Sequence, residues 1–97
     1  MDSRILKEAF LTELSQEVVG KLTPPFFALI DETIESVVDG STTIDGKRAT
    51  TNAEAINLIR HGVLARTNAF HQMVSALKTI DNANVTINYR GTTLKVK

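Results

Sequence analysis

Three observations predict an α+β fold: apolar residues at helical spacing through most of residues 3–80, a two-residue alternation over 85–96, and an Asp-Gly turn signal at 45–46 between them. The predicted architecture is a three-helix small domain closed by a C-terminal β-hairpin. The third helix is long and is either continuous or kinked at Gly62. Residues 41–51 form a second short hairpin or a plain loop. All 97 residues make one domain: an acidic helical pair at 1–40, the 41–51 segment, the long helix at 52–80 and the hairpin at 85–96.

The first helix is expected from about Ser3 to Val19. Leu6, Phe10, Leu14 and Val18 recur every four residues, and Leu11 widens the stripe. Asp2 or Ser3 can cap the first amides, and Gly20 suits a left-handed stop. Glu8, Glu13 and Glu17 fall off the stripe and are expected in solvent. Thr23-Pro24-Pro25 then restarts the chain, because proline in a first turn sacrifices no helical hydrogen bond. The second helix should run from Pro24 to Val38, burying Phe26 or Phe27, Ile30, Ile34 and Val37 or Val38, and Asp39-Gly40 ends it.

Thr42-Thr43-Ile44 and Arg48-Ala49-Thr50 flank Asp45-Gly46-Lys47, the composition of a tight turn. Thr51 and Glu54 form a capping box that opens the third helix. From there Ile56, Ile59, Val63, Phe70, Met73, Leu77 and Ile80 alternate in steps of three and four, a heptad-like seam interrupted by Arg66. Unbroken over 52–80, this helix would measure about 43 Å at 1.5 Å per residue. A compact chain of this length has a diameter of only roughly 32 Å. Either Gly62 breaks the helix, or the surplus seam is covered by a second subunit or partner; continuation of the stripe beyond the glycine favours the partner. A buried Arg66 requires an acid opposite it, from the acidic half of this chain or of a neighbour.

In the tail, Val85, Ile87 and Tyr89 alternate with Thr86 and Asn88, and Leu94 and Val96 with Thr93 and Lys95. With Arg90-Gly91 as the turn, Tyr89 opposes Thr92, Ile87 opposes Leu94 and Val85 opposes Val96, so the apolar residues share one face. An isolated hairpin is marginal in water. This one must lie on a helix, join the 41–51 segment, or pair with another chain.

Composition and motifs narrow the function. The chain has no cysteine, so disulfides and thiolate metal sites are excluded. No apolar run is long enough for a membrane span, and the first residues lack the order of a signal peptide, so an intracellular soluble (cytoplasmic) protein or a virion component is expected. No nucleophile motif, phosphate loop or zinc-protease motif is present. His61 and His71, ten positions apart on one helix, cannot share a metal. The expectation is a non-enzyme with no cofactor, no metal and no small-molecule substrate.

Net charge is zero but divided: residues 1–40 carry eight acids against three bases, and residues 41–97 eight bases against three acids. Such halves either fold against each other, join subunits head to tail, or present a basic face to nucleic acid. Asp31, Glu32, Glu35 and Asp39 make the acidic helix face, read as a solvated surface or a dock for basic protein. Lys47, Arg48, Arg90, Lys95 and Lys97 would share one edge if two hairpins lay side by side.

Residues Val38 to Thr51, ending one helix and opening another, resemble the helix–hairpin–helix of phage head–tail joining proteins. The likeness covers these 14 of the 97 residues; that family is shorter and lacks a hairpin like 85–96. The resemblance implies virion assembly and transfers no functional residues. The functional expectation is therefore a protein–protein interaction module, a structural or adaptor subunit of a larger assembly, self-associating through the helical seam and a hairpin edge. Its candidate contact residues are Val63, Arg66, Phe70, Met73, Leu77, Ile80, Tyr89, Arg90 and Lys95. The alternative is a small nucleic-acid-binding or transcription-modulating protein using its basic hairpins.

Overall fold

The computed structural model of the chain describes residues 1–14, 16–66 and 86–95. Four helices and a three-stranded antiparallel sheet follow in the order α1 (Ser3–Glu13), α2 (Gln16–Lys21), α3 (Pro24–Val38), β1 (Thr42–Ile44), α4 (Asn52–Arg66), β2 (Thr86–Tyr89) and β3 (Thr92–Lys95). This is the small α+β domain expected from the sequence.

The predicted first helix is two helices. Residues four apart advance 400°, so each step of the Leu6–Phe10–Leu14–Val18 stripe rotates by about 40°, and an unbroken helix would turn Val18 a third of the way round from Leu6. Leu14 resolves this. Its extended backbone (φ −82°, ψ 142°) ends α1 while its side chain stays buried, and α2 sets off so that Val18 and Val19 pack against the core. Asp2 caps α1, its Oδ1 accepting from the Arg4 amide at 2.9 Å. Gly20 lies inside α2 without a left-handed backbone, so it is not the predicted stop.

Helix α3 has the predicted bounds. Its buried face holds Ile30, Ile34 and Val37, with Phe26 packed at the margin, and also Thr33 and Ser36. The two hydroxyls survive burial because each bonds locally: Thr33 to the Leu29 carbonyl at 2.8 Å, Ser36 to the Thr33 carbonyl at 2.7 Å. Thr42 on β1 adds its hydroxyl to Ser36 Oγ at 2.8 Å. These small side chains leave room for a close neighbour, and α4 takes it. A Cβ on Gly62 would sit 3.1 Å from Thr33 Cγ2.

Helix α4 opens on the predicted capping box. The Glu54 amide donates to Thr51 Oγ1, and Glu54 Oε1 accepts from the Thr51 and Thr50 amides and the Thr50 hydroxyl. The helix passes through Gly62 without a break as far as Arg66. Within Asn52–Arg66 the helix is therefore not broken at Gly62, and the glycine serves the α3–α4 approach. Ala55, Leu58, Ile59, His61, Gly62, Val63 and Leu64 are all buried, on more than one stripe, because α4 packs against α1, α3 and the sheet. At 15 residues its described length is about 22 Å at 1.5 Å per residue, well within the longest dimension of 33 Å. The remainder of the predicted long helix, 67–80, lies outside the described residues.

The sheet order is β1-β2-β3. Tyr89 opposes Thr92 and Ile87 opposes Leu94, the predicted register; Val85 and Val96 lie outside the described residues. Arg90 (φ 47°) and Gly91 (φ 90°) are both left-handed, as a two-residue hairpin turn of this twist requires. The 41–51 segment is not a hairpin. Asp45 (φ 49°) and Gly46 (φ 80°) close a tight turn bridged only at Ile44 and Lys47, after which buried Ala49 carries the chain into the core. Strand β1 instead pairs with β2, Thr43 opposite Asn88 and Ile44 opposite Ile87. One face of the sheet, carrying Ile44, Ile87 and Leu94, lies on the helices.

Candidate interaction surface

Two features converge where α3, α4 and the β2–β3 turn meet: a polar cluster that fastens the hairpin to the helices, and the sheet edge that the hairpin presents. The cluster begins with Glu32, one residue before Thr33 on α3. Its carboxylate accepts from the Tyr89 hydroxyl at 2.6 Å and faces the Arg66 guanidinium at 3.4 Å. Arg66 donates to Thr33 Oγ1 at 2.8 Å and lies 4.0 Å from the Tyr89 ring centroid, a cation–π contact. On the far side Arg90 pairs with Asp39 at 3.6 Å. The hydrogen bond from Tyr89, then the charge of Arg66, hold the Glu32 carboxyl below its ordinary range. Burial first, then the bond to Glu32, push the Tyr89 phenol upward. The Ser41 hydroxyl and amide lower Asp39 in the same way.

The acid required by Arg66 is thus Glu32 of the same chain. Among the described residues the two charged halves fold against each other at Glu13–Arg60, Glu32–Arg66 and Asp39–Arg90. Glu13 is therefore not a solvated bystander; both its oxygens are engaged by Arg60, whose guanidinium is held in its charged form by that bond. Asp31 meets Lys7 at 2.9 Å, so of the acidic α3 face three carboxylates have basic partners.

These ties set a pH dependence. Glu32, Asp39 and Glu54 all have folded values below their unfolded ones, so their stabilisation is complete above about pH 5 and is lost as pH falls through the lowered folded values. The urea midpoint should fall between pH 6 and pH 3. Glu32→Gln should flatten part of that slope while leaving the midpoint at pH 3 nearly unchanged, and equal slopes in the two proteins would remove Glu32 from the account.

The sheet edge follows from hydrogen-bond parity. The Arg90 amide donates to the Ser41 carbonyl and the Asp45 amide to the Thr86 carbonyl, so even-numbered positions of β2 bond towards β1. Odd positions Ile87 and Tyr89 then bond towards Leu94 and Thr92 of β3. By alternation the N–H and C=O groups of Thr93 and Lys95 point away from β2. Among the described residues β3 ends the sheet, and Thr92 and Thr93 are exposed.

The predicted contact residues separate accordingly. Val63 is fully buried in this chain's own core, which removes it from any contact face of this structure. Arg66 and Tyr89 belong to the clamp, Arg90 to the turn and Lys95 to the edge strand. Phe70, Met73, Leu77 and Ile80 lie outside the described residues. With one hairpin in place of two, Arg90 lies in the β2–β3 turn and faces Asp39, at the other end of the hairpin from Lys95, and Lys97 lies outside the described residues. Sequence reasoning missed Thr33, whose signal was a hydroxyl residue on the apolar face of α3, and the place of β3 at the end of the sheet among the described residues, whose outward groups only the parity of the β1–β2 ladder reveals.

His61 is a packing residue. It is buried, with Nδ1 2.7 Å from the Asn57 carbonyl, and among the described residues no three acidic or histidine side chains converge as metal ligands. A groove of about 710 Å³ between α1 and α2 is lined by Leu11, Leu14 and Val19, with Glu8 its one ionisable group among the described residues. Among the described residues no helix is long and apolar enough to cross a membrane. No protein family, curated protein or solved structure matches the chain.

Proposed function

We propose that this chain is a non-enzymatic structural or adaptor subunit that works by contact with other protein, in the first place by self-association. The observation that carries the reading is the outward-facing backbone of Thr93 and Lys95 on β3, a row of groups able to accept another strand. The clamp supports it. Glu32, Tyr89, Arg66 and Thr33 satisfy one another and fix the hairpin to two helices, so the edge is presented on a rigid body. The resemblance of residues 38–51 to phage head–tail joining proteins makes a virion the assembly to try first, although that segment supplies one strand here and not a hairpin.

Light scattering over a range of protein concentration, at low and high salt, tests the reading. The expected result is a mass that rises with concentration and changes little with salt, because the charged halves are already paired within the chain. A mass of one chain at every concentration, with no partner required, would count against it. The nucleic-acid alternative expects instead binding to DNA or RNA that weakens steeply with salt and drops on replacing Arg90 and Lys95.

A further inference from the structure

We propose that β3 pairs edge to edge with β3 of a second copy, antiparallel and centred on Leu94. The inference rests on the assembly reading and names its partner and register. The outward groups of β3 are at Thr93 and Lys95. In an antiparallel pair the residues that exchange hydrogen bonds must be these two, so Thr93 opposes Lys95 of the second copy and Lys95 opposes its Thr93. Four backbone hydrogen bonds result. Leu94 then faces Leu94 of the other copy in the close, non-hydrogen-bonded position.

Three observations favour a second copy over an unrelated strand. The register is self-complementary: Leu94, half-buried at the margin of the core, would continue the apolar face of one sheet into that of the other. It sets no lysine opposite a lysine. The chain's net charge is zero, so two copies meet without overall repulsion. The strand also carries no proline or bulge to block pairing, and its one charge, Lys95, is set opposite Thr93. An edge of four residues falls short of the roughly 1,200 Å² of stable complexes, so the isolated dimer should be transient and gain strength only within a larger assembly.

The chain has no cysteine, so a single introduced one reports proximity to its own copy. Leu94→Cys brings two Cβ atoms face to face in the close position, near the separation that a disulfide needs. Under mild oxidation it should form covalent dimer about tenfold faster than Thr12→Cys on exposed α1, as raised effective concentration requires. Thr93→Pro removes an outward amide that the chain's own ladder does not use, so it should keep the circular dichroism of the parent yet lose concentration-dependent mass. Faster cross-linking through Thr93→Cys than through Leu94→Cys would overturn the register. If the parent self-associates and Thr93→Pro does so equally, the edge is not the interface, though the assembly reading stands. If the parent stays a single chain and Leu94→Cys cross-links no faster than the control, both fall.

Discussion

Phe10→Ala should cost about 3–5 kcal/mol, the range for removing a fully buried aromatic side chain from a packed core. Phe10 is the largest of the fully buried side chains among the described residues, on the helix that packs against both α3 and α4. Domains of this size are stable by only about 5–15 kcal/mol, so the loss approaches the whole margin. Each kcal/mol corresponds to roughly 4–8 °C in melting temperature, which places the expected fall at about 12–40 °C. Phe10→Leu retains most of the volume and should cost much less. A thermal melt of the three proteins by circular dichroism measures this directly. A fall under 5 °C for Phe10→Ala would mean that α1 is not part of the cooperative core.

Gly62→Leu should destabilise by roughly 1–3 kcal/mol, and the comparison with Gly62→Ala separates two explanations of the glycine. In the structure Gly62 is an ordinary helical residue at a close crossing, with Thr33 Cγ2 only 3.1 Å from where a Cβ would stand. Alanine gains about 1 kcal/mol of helix propensity but must shift Thr33 by a few tenths of an ångström, so the two effects nearly cancel. Leucine has no such escape. It forces α3 away from α4 and breaks the bond from Arg66 to Thr33, and with it the seating of Tyr89 and Glu32. If Gly62 were merely a weak point in a helix, both substitutions would raise stability by about 1 kcal/mol. Urea denaturation of the two variants decides between them.

Most helix boundaries were legible because they depend on local chemistry. Asp2, Thr51 with Glu54, Pro24 and Asp39-Gly40 act within four residues of themselves, and each marks the terminus expected of it. The hairpin register was legible for the same reason: the Arg90-Gly91 turn and the alternation of Ile87 and Leu94 agree on one pairing. What failed depends on tertiary packing. The break at Leu14 follows from where the core lies relative to a drifting stripe. The joining of the hairpin to the 41–51 segment was one of the placements left open, and it is β1 that pairs, residues 47–50 being led away as Ala49 is drawn inward. Val63 was read as part of a seam awaiting a partner, yet the core of the same chain buries it. Periodicity shows that a face is apolar, and it does not say whose surface will bury it.

The candidate site was half legible. Arg66 demanded an acid, and the acid-rich first half supplied Glu32. The edge of β3 had no signature in residue types, because Thr92 to Lys95 reads alike whether the strand is central or peripheral.

Amide hydrogen exchange on β3, at low and at high protein concentration, tests the central claim that this strand receives a second chain. Leu94, bonded to Ile87 within the chain, should be protected at both concentrations. Thr93 and Lys95 should exchange freely when dilute and become protected as the mass rises. Fast exchange at Thr93 and Lys95 in a sample that scattering shows to be associated would contradict the account and move the contact elsewhere on the molecule.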